Sequence, residues 1–236
     1  MPVASAARSF QFMHTPHVAA MLVIAAAAAV LCVAARKLRR PAVTRAIARA
    51  LAIAVVLNEV IYWAWALSRV SGREFLQHNL PLHICGAGVF LAAVVMFTRN
   101  QFLYEVLYFW ALAGTVQAAV TPDLAAAFPE YRFFQYFIAH GGVIACAAFA
   151  TWGMGMRPGK GSVWRAYFFT VACTAAVGAI DWLLDANYMF LCEPAGGASP
   201  FFFLPWPWYI AVIAAVGLGV MWLLYLPVAI ARRQGR

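Results

Sequence analysis

Cys85 and His140 are a thiol and an imidazole on separate apolar stretches of this chain. A base beside a thiol withdraws its proton, and the thiolate then attacks an ester or thioester carbonyl. Three further ionisable residues accompany them. Glu59, His83, Cys85, His140 and Asp181 lie on four apolar segments, and alternate threading through a bilayer brings all five toward one leaflet. The pattern reads as every ionisable group of the spans gathered at one end. Such groups are costly in hydrocarbon and usually face a bundle interior or a wet cavity, so a buried polar site is expected.

The neighbours of the pair suggest supporting roles. Asn58 and Glu59 adjoin on one segment, with Tyr62 one turn away. Glu59 is either the acid that orients a histidine or a structural link between helices. His83 lies two residues before Cys85, so a regular helix points them to different faces; His83 then meets headgroups or orients another polar group. Tyr136 stands one turn before His140 and is positioned to fix its ring. Asn58, Gln117 and Tyr136 are candidate donors to a developing oxyanion. Asp181 and Asp185 lie one turn apart, Asn187 opens the following loop, and Asp123 after Pro122 reads as a turn or cap residue.

Two alternatives bear on Cys85. A buried free cysteine is often no more than a small apolar side chain. Cys85 and Cys192 also fall on the same side and can pair as a disulfide in an oxidising compartment, which would remove the nucleophile. A metal site is not expected: His78, His83, Cys85 and His140 lack HxxxH or CxxC spacing, and no cofactor motif is present.

The elements that carry these residues are apolar spans. The chain has 236 residues, 65% hydrophobic and 11% charged, with mean hydropathy +0.80. That excludes a soluble globular domain and indicates a polytopic membrane protein. Seven runs reach about 20 residues, one crossing each: Val18–Ala35, Ile47–Leu67, Leu80–Thr98, Phe102–Val120, Phe133–Trp152, Trp164–Leu184 and Trp206–Ile230. The expected fold is all-α, a single seven-helix membrane domain over residues 1–236, because lipid offers no partner to open backbone groups. The alternating short strands of a barrel are absent from the sequence.

Charge sets the expected orientation. The formal charge is +9, but the basic residues cluster between apolar runs, so nucleic acid is not the expected partner. Thirteen of the 17 Lys and Arg fall on one side, among them Arg36, Lys37, Arg39, Arg40, Arg45, Arg49, Arg99 and Arg236; four, Arg8, Arg69, Arg73 and Arg132, fall on the other. The positive-inside rule places the N-terminus outside and the C-terminus in the cytoplasm. In an inner membrane the polar site then lies in the outer leaflet. The basic cluster after the first run marks a stop-transfer flank, so that helix is expected to be retained. Trp206, Trp208 and Tyr209 fit an outer aromatic belt.

Several motifs carry a family resemblance. Leu80-Pro-Leu-His-Ile-Cys85, Thr121-Pro-Asp-Leu124, Phe134-Gln-Tyr-Phe-Ile-Ala-His-Gly141, Asn187-Tyr-Met-Phe-Leu-Cys192 and Pro205-Trp-Pro-Trp-Tyr209 resemble the YwaF-type bacterial integral membrane proteins, over about Asn58 to Pro227. That family is similar to animal transmembrane protein 164, a membrane acyltransferase that moves polyunsaturated chains from phosphatidylcholine onto lyso ether phospholipids. The resemblance implies that Cys85 and His140 correspond to its cysteine and histidine. It extends to the androgen-induced lipid hydrolases, which use threonine in place of cysteine. Asp181 stands where relatives are expected to carry asparagine.

The leading expectation is therefore a lipid acyltransferase or transacylase in a bacterial inner membrane. Cys85 serves as nucleophile, His140 as base, and a phospholipid or lysolipid as substrate; water as acceptor makes it a lipase. The alternatives are a small transporter using intramembrane Glu, Asp and His, and a structural or assembly protein.

Overall fold

The computed structural model describes residues 10–194 and 203–234, so Arg8 and Arg236 of the charge count lie outside the described residues. The described chain is helical. The helices are α1 (Thr15–Leu38), α2 (Pro41–Leu67), the short α3 (Gly72–His78), α4 (Ile84–Thr98), α5 (Gln101–Val120), α6 (Tyr131–Gly153), α7 (Ser162–Leu184) and α8 (Trp208–Arg233). Six of these are long and apolar enough to cross a membrane; α4, at 15 residues, is the shorter apolar helix among them.

The boundaries follow local chemistry. Arg39 closes α1 in the left-handed conformation, and Pro41 opens α2 at a first-turn position where its missing N–H costs nothing. The side chain of Asn100 caps α5 by accepting from the Leu103 N–H at 3.0 Å. The third span, expected to begin at Leu80, becomes helical only at Ile84. Leu80–His83 is a turn, and the Pro81 backbone folds back so closely that a Cβ on Gly86 would lie 3.0 Å from the Pro81 Cα. The sequence pattern could not expose this turn, because proline is tolerated in a first helical turn.

Helices α1, α4, α6 and α8 run from one end of the bundle to the other, and α2, α5 and α7 return. Ties at each end fix this order. His17 Nε2 meets the Ala119 carbonyl at 3.0 Å at the end that holds Cys85. The Arg36 Nε–H donates to the Trp152 carbonyl at 2.8 Å, and Arg99 to the Met154 carbonyl at 3.1 Å, at the arginine-rich end.

Small residues bring the central helices together, as expected where lipid supplies no hydrophobic drive between helices. Helix α6 packs against α1, α2 and α4. Ala48, Ala52, Gly88, Ala92 and Ala145 are buried at these contacts. Large apolar side chains such as Leu22, Ile53, Trp182 and Leu223 face outward, the reverse of a water-soluble protein.

One expectation is corrected. The buried ionisable groups are not all at one end: Glu105, near the start of α5, is 1% exposed and belongs to the arginine-rich end. It accepts from Arg165 Nε and Nη2, from the Gly159 N–H at 2.8 Å and from Gln101 at 3.0 Å. One guanidinium charge and two dipoles satisfy the carboxylate, so its burial is compensated. It clamps the loop between α6 and α7 to α5.

The α2–α6 contact is testable. A Cβ on Gly142 would lie 2.3 Å from Val55 Cγ1, on a side chain too stiff to swing aside. Gly142→Ala is expected to lower the thermal midpoint in detergent, because overpacking of about 1–3 kcal/mol exceeds the helix-propensity gain of about 1 kcal/mol. Adding Val55→Ala should restore much of the loss. Strict additivity of the two substitutions would contradict the contact.

Candidate active site

Cys85 is the second residue of α4, so it stands in the first turn of a helix rather than deep inside one. The first N–H groups of a helix have no intrahelical partner, and the Ala87 N–H is the first to bond back, to the His83 carbonyl at 2.9 Å. The amides of Ile84, Cys85 and Gly86 therefore lie beside the thiol with the positive end of the helix dipole. These amides are hydrogen-bond donors to negative charge on an oxygen seated at this turn.

His140 comes from the neighbouring helix. A Cβ built on Gly88 of α4 would lie 3.5 Å from Val143 Cγ1 of α6, and the two helices run in the same direction. Three residues back from that contact are Cys85 on α4 and His140 on α6. Positions three apart share a helix face, and three residues rise about 4.5 Å. The two residues therefore lie at the same level of the α4–α6 seam, both half-buried.

The hydrogen bond of His140 fixes its tautomer. Nδ1 lies 2.9 Å from the Tyr136 carbonyl oxygen. A carbonyl only accepts, so Nδ1 carries the proton and the neutral ring keeps its lone pair on Nε2. The Tyr136 ring stacks on the imidazole with centroids 4.0 Å apart, and Tyr136 also lies near enough to Cys85 to interact electrostatically. The Tyr136 hydroxyl donates to the Ala118 carbonyl at 2.8 Å, which fixes the ring that holds the imidazole.

Glu59 does not orient His140, since the backbone carbonyl of Tyr136 fills that place. Glu59 is buried on α2 between Trp63 and Arg132. The Trp63 indole N–H lies nearby without a well-aligned partner. Arg132 stacks over Tyr62 with its Cζ 4.3 Å from the ring centroid, and it donates to Gln135. The Asn58 amide donates to the Gln135 carbonyl at 3.2 Å. These groups form a polar seam between α2 and α6, one turn closer to the bundle end than His140.

His83 precedes the first turn of α4 and binds the segment after α7. Its Nδ1 accepts from the Met189 N–H at 3.1 Å, and its ring packs on Tyr188 and Phe190. Asp181 accepts from the Tyr188 N–H through Oδ1 at 2.9 Å, while Oδ2 has no partner among the described residues. His83 and Asp181 thus hold the segment Tyr188–Phe190 over the end of α4. Asn187 serves the loop itself, its Oδ1 accepting from the N–H groups of Cys192 and Glu193 at 3.0 and 3.1 Å. Gln117 is exposed. Asp123 approaches both His83 and Tyr136 from the loop at this end.

Thr115 is a neighbour the sequence did not single out. It is fully buried, and its hydroxyl lies within reach of the Cys85 thiol. A π-helical stretch, Trp110–Thr115, places it there, with the hydroxyl bonding to the Trp110 carbonyl at 3.3 Å. Such π turns recur at functional sites. A lone threonine in an apolar run gives no signal of one.

All five cysteines are free thiols, so Cys85 and Cys192 are not joined.

The model of the TMEM164 family matches residues 11–225. The chain belongs to the TMEM164 family. No curated protein and no solved structure matches it. Membership in this family agrees with the resemblance carried by the motifs around Cys85 and His140, and with the helical membrane architecture.

The state of the cysteines gives a prediction. Partial desolvation first, and then the carboxylates of Asp181, Glu193 and Asp185, push the Cys192 thiol above its ordinary range. Without reductant, a water-soluble maleimide should label Cys192 readily but more slowly than a simple thiol at neutral pH. The rate should keep rising above the free-thiol value of about 8.5, and Asp185→Asn should raise it. A Cys192 that resists labelling until reductant is added would contradict the free-thiol state.

Proposed function

We propose that this member of the TMEM164 family is a seven-span membrane acyltransferase of the outer leaflet, with α4 as the seventh span. Cys85 is its nucleophile and His140 its base. The observation that carries the reading is the tautomer of His140: Nδ1–H is spent on the Tyr136 carbonyl, which leaves Nε2 to accept a proton at the level of a thiol seated at a helix N-terminus.

The reaction has two halves. Nε2 takes the Cys85 proton as Sγ bonds to the ester carbonyl carbon of a phospholipid. The oxyanion that forms meets the free amides of the first turn of α4, with Gly86 the residue whose small size lets the turn close on Pro81. The carbon–oxygen bond then breaks, the lysolipid leaves with the proton from His140, and an acyl thioester remains on Cys85. In the second half a lysolipid hydroxyl gives its proton to Nε2 and attacks the thioester carbonyl carbon; the carbon–sulfur bond breaks, Cys85 Sγ leaves as the thiolate, and His140 returns the proton to it. These backbone donors replace the Asn58, Gln117 and Tyr136 side chains weighed from sequence. Asn58 and Tyr136 already donate to carbonyls, and Gln117 is exposed.

The orientation rests on charge. The described basic residues concentrate at the end opposite Cys85, which supports a cytoplasmic placement of that end in a bacterial inner membrane.

The test uses purified protein in liposomes that contain a phospholipid with a labelled acyl chain and an unlabelled lysophospholipid. Label is expected to move to the lysophospholipid. Cys85→Ala should abolish transfer, and labelling by a lipid-like thiol probe with it. His140→Ala should slow transfer at least about 100-fold while the thiol remains present. Transfer at full rate by Cys85→Ala would overturn the proposal, and labelled free fatty acid in place of the new phospholipid would make the enzyme a hydrolase.

A further inference from the structure

The arginine-rich end of the bundle holds a cavity of about 340 Å³ between the end of α1, the first turns of α2 and the end of α4. Arg39, Arg45, Arg49 and Arg99 line it, and no carboxylate does. Of the four, Arg99 spends part of its guanidinium on the Met154 carbonyl. The side chains of Arg39, Arg45 and Arg49 have no hydrogen-bonding or ionic partner among the described residues. Nor is a neutralising acid within reach. Glu105 is the one acid of the described residues at this end, and its two oxygens are occupied by Arg165, Gly159 and Gln101.

Crowding like charges around a concave space raises the local potential and costs free energy unless an anion is present. The backbone adds to the same field. Pro41, Thr44 and Arg45 belong to the first turns of α2, so the positive end of a 27-residue helix opens on the cavity. Arg39 and Arg99 are both held in the left-handed conformation, at φ 49° and 54°, as the closing residues of α1 and α4. Glycine or asparagine is the usual choice there. Two arginines in that strained conformation on one cavity indicate that their side chains have a use.

We infer that this cavity binds a phosphate-bearing anion, the headgroup of an anionic phospholipid of the adjacent leaflet. Guanidinium groups match phosphate oxygens with paired N–H donors, and basic pockets between transmembrane helices are known headgroup sites. The walls favour a lipid over a free ion. Met96, Ala48 and Phe97 give the cavity an apolar part, and Phe97, exposed on α4, offers an apolar surface to acyl chains that follow the headgroup. The site lies at the opposite end of the bundle from Cys85, so it stands independently of the acyl-transfer reading.

The experiment measures lipid retention by native mass spectrometry, and the thermal midpoint, of the full chain in neutral detergent. The probes are dioleoyl phosphatidylglycerol, dioleoyl phosphatidylcholine and inorganic phosphate. Wild type should retain and be stabilised by the phosphatidylglycerol far more than by the phosphatidylcholine, with little effect of phosphate. Arg45→Gln with Arg49→Gln should weaken retention roughly tenfold or more. Lys37→Gln with Arg40→Gln, which removes the same charge outside the cavity, should leave it unchanged. Arg39→Gly provides a control for folding: it relieves the left-handed strain, so it should keep or raise the midpoint without lipid while weakening retention. Inorganic phosphate that stabilises as well as the lipid would overturn the lipid assignment in favour of a soluble anion. Equal retention of both lipids, or equal loss in the two double variants, would overturn the site.

Discussion

The close approach of α6 to α2 and α4 through glycine is the contact on which the rest of the structure depends. In lipid there is little hydrophobic drive between helices, so their association rests on close packing and on hydrogen bonds across the seam. Gly142 lets Val55 of α2 touch the backbone of α6, and Gly88 lets Val143 of α6 touch the backbone of α4. These two contacts set the height of α6 against its neighbours. The levels of His140 and Cys85 follow, since each lies one turn from the Gly88–Val143 contact. A larger residue at either glycine would separate the pair without touching it.

Given that register, local hydrogen bonds determine what the pair can do. An imidazole in a helix bonds back to its own preceding turn, and the Tyr136 carbonyl accepts in the place that an acid occupies in many triads. The cost of a buried carboxylate beside the imidazole is avoided, and the tautomer is still set. The turn at Leu80–His83 does the corresponding work for the thiol. By delaying the start of α4 to Ile84, it turns an interior position into a helix N-terminus with unpaired amides. His83, expected from the sequence to meet headgroups or orient another polar group, secures the segment Tyr188–Phe190.

The spans were legible because a run of apolar residues of membrane length has few other readings. Six of the seven expected runs correspond to helices long enough to cross, and the end of the bundle that holds Cys85, His140 and Asp181 followed from alternate threading. What escaped the sequence depended on short-range geometry. The Pro81 turn, the π stretch that presents Thr115 and the carbonyl partner of His140 leave no periodic trace. Glu105 was overlooked for a different reason. A single acid near the start of a span resembles an interfacial residue, and only tertiary structure brings Arg165 and the Gly159 amide onto it. Glu59 and Asn58 were seen as polar and buried, but their place in the α2–α6 seam depends on Arg132 and Gln135, which sit on another helix.

The most direct test of the account is the mass of the Cys85 peptide after brief exposure of the protein to a phospholipid substrate without acceptor. The account predicts an added acyl group on Cys85 that hydroxylamine removes, as for a thioester, and that fails to accumulate in His140→Ala. An acyl group carried on another residue, or turnover with Cys85 never modified, would contradict it.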